Sequence, residues 1–428
     1  MSSALTNTTW SLPKKLSFRF FFILLLLLIF LNNNGAFLYA GQIFSYPTTL
    51  LQQFIPWFAV NVLGHNYDFT IFTNGSGDTT YDYIKLLFFV IVAVLGTLLW
   101  TVLDRKRENY NQLYYWLLLF VRYYLAFTLT LYGSVKIIQL QFPQPQLSRL
   151  LQSFGDASPM GLAWTFLGFS KGYNVFMGII EVSSVLLLFR RTMIIGAFLS
   201  LAASVHVMAM NYFFDVPVKI LSTTLVVMCL FILAPYMLSI GRFFLTNQPQ
   251  QLTPHTTPTF GKRWQFITFR SLKYLFIVWT IGIMFTSALQ RQYTYGALAP
   301  KPPLYGIYNV KKFLLNGKEI PPLTTDSVRW HQLVIEWQEF ARVKFMDDKL
   351  EHFKIKVDVK QNEIEMEQQE NLAAHYKFKY NLTNDSTLTL NGLKDQDSLS
   401  ITFRKFDLRK FRLMNRGFHW INEYPYNR

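Results

Sequence analysis

The chain has 428 residues, of which 51% are hydrophobic and 15% are charged. A soluble domain usually carries about 25% charged residues, so this composition indicates a membrane protein. The formal net charge of +16 does not indicate a nucleic-acid partner, because the basic residues of the first two thirds lie in short clusters between apolar runs. The single cysteine, Cys229, excludes an internal disulfide, a CxxC redox pair and a zinc site built on several cysteines.

The charge is unevenly distributed along the chain. Residues 290–428 hold 22 of the 41 Lys and Arg and 17 of the 25 Asp and Glu, which leaves 19 and 8 for the first 289 residues. The front part is therefore charge-poor, and the tail has the composition of a soluble domain. We predict a multi-pass α-helical membrane bundle followed by an extracytoplasmic domain.

Seven apolar stretches are each close to the ~20 residues that cross the hydrocarbon of a bilayer. They cover residues 18–40, 84–103, 113–138, 173–189, 193–213, 220–240 and 271–289. The first follows three basic residues and is interrupted by Asn32–Asn34. We interpret it as a retained anchor; a signal peptide ending near Ala40 is the alternative.

Basic residues in the connections predict the orientation. One set of connections holds Lys14, Lys15, Arg19, Arg105, Lys106, Arg107, Arg190, Arg191, Arg242, Lys262, Arg263 and Arg270. The alternate set is poor in them, and residues 41–82 contain none. This positive-inside pattern predicts a protein of the inner (cytoplasmic) membrane, with a cytoplasmic amino terminus and a periplasmic C-terminal domain. Residues 41–65 then form an interfacial or re-entrant stretch on the outer side, 139–172 form an outer connection, and 242–270 form a cytoplasmic linker.

The tail is predicted to be a mostly β domain. Apolar and polar residues alternate over 353–360, 376–382 and 399–403, and turn signals such as Asn316-Gly317 and Asn391-Gly392 separate such runs. Six to eight short antiparallel strands predict a small barrel or a sandwich. The start of the domain, from Leu304 to Lys318, resembles that of lipocalin-type barrels, and such barrels enclose small apolar ligands.

Two charges lie deep inside predicted spans. Arg122 is about nine residues into the third span, and Glu181 is about eight residues from the inner end of the fourth. A charge at the bilayer centre costs at least ~2.5–3.5 kcal/mol, so each requires a partner or a wet cavity. Their similar depth predicts an Arg122–Glu181 pair. The pair serves either a ligand or helix packing alone.

A second polar group is predicted toward the outer side, and it comprises Lys136, His206, Asp215 and Lys219. In one interpretation these residues form a pocket for an anionic or quinone-like headgroup, with His206 as a proton carrier. In the other, Asp215 caps the next helix, Pro217 lies in its first turn, the lysines extend to the interface and His206 is a packing residue.

Residues 113–240 resemble the DoxX family of small helical membrane proteins. The resemblance rests on Arg122, Gly133-Ser134-Val135-Lys136, Gly178-Ile179-Ile180-Glu181, Arg190-Arg191-Thr192 and the stretch from Asn211 to Lys219. The segment from Arg416 to Arg428 resembles the ending of larger, Bacteroidetes-type members with a C-terminal β domain. The resemblance implies a four-helix core with inward-facing charges. It divides the chain into an N-terminal two-span region over 1–110, the core over 111–241, the linker 242–270, a last span over 271–289 and the β domain over 290–428.

Three functions remain open from the sequence. In the first, a quinone or lipid headgroup binds among Arg122, Lys136, Glu181, His206, Asp215 and Lys219, in a redox-linked role. In the second, the protein is a non-enzymatic envelope protein whose barrel binds a lipid, a peptide or a partner protein. The third is a transporter, for which the sequence offers no clear internal repeat. We expect membrane lipids as partners and no nucleic acid.

Overall fold

A computed structural model describes residues 9–65, 76–252, 262–369, 375–384 and 386–427. Their contacts divide the chain into two units, one of residues 1–142 and 159–292 and one of residues 143–158 and 293–428. We call them the helical unit and the barrel unit and describe each by itself.

Thirteen α-helices occur among the described residues. They are α1 (Leu12–Leu31), α2 (Ala40–Ile43), α3 (Ser45–Asn61), α4 (Thr80–Leu103), α5 (Asn111–Ile137), α6 (Leu147–Leu151), α7 (Pro159–Phe169), α8 (Lys171–Val182), α9 (Met193–Phe213), α10 (Lys219–Leu233), α11 (Met237–Thr246), α12 (Arg263–Thr294) and α13 (Arg412–Asn415). A 3-10 segment, Ser183–Leu188, continues α8, and another, Ala234–Tyr236, joins α10 to α11. All but α6 and α13 belong to the helical unit.

Six helical stretches in the described part of the chain are long and apolar enough to cross a membrane. They are Thr80–Leu103, Asn111–Ile137, Lys171–Leu188, Met193–Phe213, Lys219–Thr246 and Arg263–Thr294. Each overlaps one of the last six predicted spans, so the prediction of a multi-pass helical membrane protein is confirmed. The last helix is longer than predicted, because its first turns continue into the polar residues of the linker.

The predicted first span over 18–40 is wrong in its bounds. α1 starts earlier and ends at Leu31, where the N–H of Asn32 bonds to the carbonyl of Leu28. Asn34 and Gly35 then take positive φ angles of 47° and 76°, which turn the chain away from the helix axis. The positive φ favours glycine at position 35, and a Cβ there would stand 2.9 Å from Leu131 Cδ2 and displace the end of that side chain.

The connections that are predicted to be outer contain more helix than the sequence indicates. α3 remains helical through Pro56 and packs Ile55 and Phe58 against Tyr81 and Ile84 of α4. The stretch 139–172, predicted as a connection, contains α6 and α7. α7 escapes prediction because its 11 residues are too few to form a span.

Two backbone hydrogen bonds inside the helical unit each join connections that belong to the same predicted set. The N–H of Trp10 donates to the carbonyl of Glu108 at 2.9 Å, which joins the amino-terminal segment to the turn after α4. The N–H of Gly77 donates to the carbonyl of Pro217 at 2.8 Å, which joins the segment before α4 to the turn after α9. Which set faces the cytoplasm stays a prediction.

The tail forms an antiparallel barrel. The strands of the described residues are β1 (Gly306–Leu315), β2 (Lys318–Glu319), β3 (Trp330–Trp337), β4 (Phe340–Phe345), β5 (Leu350–Asp358), β6 (Glu363–Gln368), β7 (His375–Thr383), β8 (Thr387–Lys394) and β9 (Asp397–Lys405). β1 and β3 to β9 pair in sequence order, and β1 pairs with β9 to close the ring. The short β2 only extends β1 as a hairpin. The predicted mostly-β barrel is therefore confirmed, and closure leaves no open edge among the eight ring strands that the structure describes.

Aromatic side chains fill the interior of the barrel. Trp330 is 1% exposed, and its ring centroid lies 5.7–6.4 Å from those of four rings. These rings belong to Phe353, Tyr376, Phe378 and Phe403. The period-2 alternation predicted this inward face, and the barrel core is solid where a lipocalin-type barrel would be hollow.

One segment from the connection between α5 and α7 belongs to the barrel unit. The Glu336 carboxylate accepts hydrogen bonds from the N–H groups of Leu147 and Ser148, so it caps the start of α6. Leu147 also packs with Ile307 and Val334 on the outer face of the barrel. Residues 143–158 of this connection therefore pack as part of the barrel unit.

Candidate functional site

A buried ion pair joins α5 to α8. Lys136 Nζ lies 2.7 Å from both carboxylate oxygens of Glu181, and the two side chains are 4% and 5% exposed. The ammonium also lies 5.9 Å from the ring centroid of Tyr132 and 5.7 Å from that of Phe142. Two charges removed from water are tolerated only when each satisfies the other, which this two-oxygen contact achieves.

Two glycines bring the backbones close enough for that pair. A Cβ at Gly133 would lie 2.7 Å from the carbonyl oxygen of Gly178, and a Cβ at Gly178 would lie 2.7 Å from that of Gly133. Each glycine is three residues before its charged partner, so Lys136 and Glu181 lie on the helix faces that meet at the crossing. Such small residues allow close approach of helices in membranes. The motifs Gly133–Lys136 and Gly178–Glu181 thus act together, because the glycines allow the close helix crossing that brings the two charges into contact.

The predicted Arg122–Glu181 pair is wrong. Arg122 is buried, and its Nε donates to the carbonyl of Leu187 at 2.8 Å. It precedes Lys136 by 14 residues, about 21 Å along α5. The prediction measures the depths of Arg122 and Glu181 from the inner ends of their own spans, and it assumes that these two ends lie at the same level. The 3-10 segment in fact ends opposite Arg122, well above the start of α5.

The helix that follows the turn between α9 and α10 is capped by a residue that the sequence did not indicate. Asp78 accepts from the N–H of Lys219 at 2.6 Å and from the N–H of Ile220 at 2.9 Å, so it caps α10 from the segment before α4. Asp215 is not the cap. It has a φ of 52°, its side chain is 84% exposed, and its carboxylate lies 2.9 Å from Lys219 Nζ.

His206 does not join the buried pair. It lies on α9 and is exposed on the surface of the helical unit. Of the six predicted site residues, the structure therefore brings together Lys136 with Glu181 and Asp215 with Lys219. Arg122 and His206 lie apart from both pairs.

A polar cavity of about 450 Å³ opens in the helical unit. Asn32, Asn33 and Asn34 line it together with Asp82 and Lys85. Its remaining walls are Leu31, Thr48, Leu51, Gln52, Ser76, Gly77, Tyr81, Tyr132, Val218, Ile220 and Leu221. Lys85 Nζ donates to Asn32 Oδ1 and to Asp82 Oδ1, both at 3.0 Å. An ammonium has three N–H groups, so one is left beyond these two bonds, and the ammonium also lies 5.2 Å from the ring centroid of Tyr81.

Tyr132 links this cavity to the buried pair. Its ring lines the cavity and also contacts the ammonium of Lys136. The charge of Glu181 acts on its hydroxyl. Lys136 and Glu181, two of the six residues predicted from the sequence, therefore lie behind one wall of the cavity.

An apolar groove of about 670 Å³ adjoins the polar cavity. Pro47, Leu50, Gln53, Phe54, Trp57 and Phe88 line it, together with Leu31 and Leu51. Leu31 and Leu51 also line the polar cavity, so the two spaces meet at these side chains. A polar recess beside an apolar groove matches the form of an amphiphile.

Sequence reasoning missed most residues of the cavity. Lys85 and Asp82 were available as a signal, because they are charges i and i+3 at the start of a span. The sequence indicates the three asparagines only as an interruption of the first predicted span. Among the residues that the structure describes, no group of three or more His, Cys, Asp and Glu could hold a metal ion.

Six spans and a closed barrel define a multi-pass membrane protein with a β-barrel domain. The chain belongs to the same family as the "Uncharacterized protein YwoB" of Bacillus subtilis (strain 168), with which it is 37% identical over 115 residues. That match covers 26% of this chain and 71% of the relative, whose name states no activity. No family model matches the chain, and no solved structure matches it significantly.

Proposed function

We propose that the helical unit binds an amphiphilic membrane molecule, a quinone or a lipid, with its head in the polar cavity and its chain in the apolar groove. The observation that carries this proposal is the contact between the two spaces at Leu31 and Leu51. Ligand sites combine a mostly apolar wall with a few polar groups that fix orientation, and this pair of spaces has both.

The polar cavity suits an uncharged or zwitterionic head rather than a strong anion. Its one cation, Lys85, is already beside the carboxylate of Asp82 at 3.0 Å. The Asn33 amide bonds to the backbone of Phe37, and the Asn34 NH2 donates to the Asn32 carbonyl and to Tyr124 Oη, so the Nδ2 donors of Asn32 and the Oδ1 acceptor of Asn34 are left for a bound head. Quinone carbonyls and ester or phosphodiester oxygens are acceptors that such donors recognise.

Lys136 and Glu181 have a positioning role in this proposal. The Lys136 ammonium lies 5.9 Å from the centroid of the Tyr132 ring, and the Glu181 charge acts on the Tyr132 hydroxyl. The pair therefore positions a ring that forms part of the cavity wall. Asp215 and Lys219 lie at the turn that leads into Val218 and Ile220, which also line the cavity. His206 and Arg122 have no part in this site.

The proposal includes a redox-linked role and membership of the DoxX-like group. It also includes an inner-membrane location with the barrel on the outer side. The order of charged residues along the spans and the positive-inside pattern support them. Since Cys229 is the chain's single cysteine and is buried, no dithiol supplies electrons. Any electrons would come from the bound quinone or from a partner protein.

The alternative function, a barrel that encloses a small ligand, receives no support, because side chains fill the barrel interior. An envelope protein whose barrel binds a peptide or a partner protein on its outer surface stays an alternative. No described contact favours it over the amphiphile site.

Native mass spectrometry of the full chain, purified in mild detergent with lipid and quinone identification, tests the proposal. We expect a retained quinone or lipid in the wild type and at least a tenfold lower retention in Lys85→Met, about the effect of losing one charge-assisted hydrogen bond. Lys171→Met is the matched control, because Lys171 is also a cation in the first turns of a span but is exposed and outside the cavity. A wild-type protein without bound amphiphile, or equal retention in Lys85→Met, would count against the proposal.

A further inference from the structure

The chain that follows the barrel carries an exposed aromatic segment. Phe406 and Phe411 still pack against the barrel unit, with their ring centroids 4.9 Å apart. Residues 412–427 are exposed except for Arg416, which is half-buried. Four large apolar side chains among them are 78%, 91%, 77% and 84% exposed, and they are Phe418, Trp420, Ile421 and Tyr424. Such a cluster marks a surface that contacts another molecule.

Arg416 gives this segment a defined form. Its guanidinium lies 4.1 Å from the ring centroid of Tyr426, and its Nη2 donates to Asn422 Oδ1 at 2.6 Å. Asn422 Nδ2 donates in turn to the carbonyl of His419 at 3.2 Å. The segment therefore folds back on itself, and its apolar side chains stay on the outside. We call residues 416–427 the aromatic turn.

Basic side chains accompany the aromatic turn. Between residues 410 and 427 the sequence has three basic side chains and one acidic one, and they are Lys410, Arg412, Arg416 and Glu423. The carboxylate of Asp407, just before this stretch, is paired with Arg409 at 3.0 Å. Trp and Tyr beside Lys and Arg are typical of the membrane–water interface. A lipid surface offers an apolar layer for the rings and anionic headgroups for the cations.

The chain that leads to the aromatic turn leaves the barrel where the tether from the last span enters it. β1 starts at Gly306, and Tyr308 of β1 pairs with Lys405, the last residue of β9. α12 is long and apolar enough to cross a membrane. Only residues 295–305 connect it to β1, and they span at most roughly 40 Å when fully extended. Covalent connection alone therefore keeps this end of the barrel close to the bilayer surface.

We propose that the aromatic turn docks on the surface of an anionic lipid bilayer. Its rings enter the boundary between headgroups and acyl chains, and Lys410 and Arg412 bind anionic headgroups. The aromatic turn and the tether then hold the barrel at the membrane from two points at one barrel end. This docking surface belongs to the barrel unit, so it does not depend on the amphiphile site of the helical unit.

Electron paramagnetic resonance on the full chain in nanodiscs of phosphatidylcholine with phosphatidylglycerol tests the proposal. A nitroxide is attached to Asn427→Cys, and Cys229 does not compete for the label because it is buried. Gln396→Cys is the matched position, since it is exposed in the turn between β8 and β9 at the opposite end of the barrel. The label at 427 should collide with oxygen, which concentrates in the bilayer, and should be shielded from an aqueous nickel complex. The label at 396 should remain open to nickel.

Substitutions separate the apolar and the charged contributions. Trp420→Ser with Ile421→Ser should open the label at 427 to nickel, because the turn loses two of its apolar side chains. Leu393→Ser is the control, since that side chain is 50% exposed near the opposite end of the barrel, and it should change nothing. Arg412→Gln should lower the docked population about fivefold in discs that contain phosphatidylglycerol and leave it unchanged in phosphatidylcholine alone.

Two outcomes would overturn the lipid surface. Equal access of nickel to positions 427 and 396 would show that the aromatic turn stays in water. Shielding of position 427 from both nickel and oxygen would show that protein covers the turn, either the helical unit or a second copy of the chain. Equal docking with and without phosphatidylglycerol would overturn the role of the basic side chains. All the substituted side chains are exposed, so a failure to fold does not imitate these results.

Discussion

The two units bury their side chains in opposite ways. The barrel core consists of apolar and aromatic residues around Trp330, and the buried charges of this unit, Arg329 and Glu351, lie outside that core cluster. The helical unit buries Arg19, Arg122, Lys136 and Glu181 among its spans. The stability that apolar packing provides is enough to explain the residues of the barrel core. A buried charge in a membrane bundle is costly, so the presence of each one requires its own explanation.

The Arg19 network provides one such reason, and it is structural. Its guanidinium donates to Tyr110 Oη at 2.6 Å, to Thr101 Oγ1 at 2.7 Å and to the carbonyl of Asp104 at 3.0 Å. Every one of these partners is protein, so the network fastens α1 to the turn after α4. Arg122 differs because one of its nitrogen atoms lacks a partner. The contrast separates a charge whose nitrogen atoms all bond within the protein from one that keeps a buried nitrogen without a partner.

The largest effect is expected in the barrel core. Trp330→Ala should lower the free energy of unfolding of the barrel by about 3–5 kcal/mol, because it leaves a cavity among four aromatic rings. Pulse proteolysis of the full chain across a urea series measures it. Trp337→Ala is the control on the same strand, where the side chain is 42% exposed, and it should cost far less. Similar losses in both variants would show that the barrel core is not the source of stability.

A similar loss should follow when one charge of the buried pair is removed. Glu181→Leu should cost about 3–5 kcal/mol, because it leaves Lys136 buried and unpaired, whereas Lys136→Met with Glu181→Leu should recover most of it. Thermal unfolding in detergent measures both. If the double variant is stable but retains less amphiphile, the pair positions Tyr132 for binding. If the double variant is as unstable as the single one, the two residues are not energetically coupled.

A smaller loss should come from the helix crossing. Gly133→Ala places a Cβ 2.7 Å from a backbone oxygen, so α5 and α8 must move apart, at about 1–3 kcal/mol. Gly282→Ala in α12 is the matched control, since nothing lies within 4 Å of its Cβ position, and it should be neutral or stabilising. The melting temperatures of the two variants decide. An unchanged Gly133→Ala protein would contradict the close crossing.

The smallest effect concerns the helix cap. Asp78→Ala should cost about 1 kcal/mol, because two N–H groups at the start of α10 lose their acceptor. Asp215→Ala should be indistinguishable from the wild type, because its ion pair is exposed. Hydrogen exchange at the first turn of α10 reports the loss locally. Faster exchange in Asp215→Ala than in Asp78→Ala would show that Asp215, the residue that the sequence indicates, caps the helix.

Hydrophobic patterning was enough to predict the spans and the barrel, because both depend on short-range periodicity. The alternation through Phe353 and Ile355 identified the inward face of the barrel without knowledge of its partners. Closure itself depends on β1 meeting β9, about ninety residues later, and no local signal predicts that pairing.

The site was predicted only in its residue types. Lys136 and Glu181 were singled out because each is a charge in an apolar span, which is visible in one sequence. Their pairing was not visible, because it depends on the glycine crossing and on α8 ending early. Asp78 reaches α10 from 141 residues away, a contact that sequence spacing cannot indicate.

The hydrogen bonds from α6 to Glu336 have a consequence for biosynthesis. Leu147 leaves the ribosome long before Glu336, 189 residues later in the chain. During that interval the first N–H groups of α6 have no carboxylate acceptor and Leu147 has no barrel surface to pack against. The connection between α5 and α7 therefore reaches its final form only after the last domain folds, so a chain truncated before β3 would expose an apolar segment to quality-control proteases.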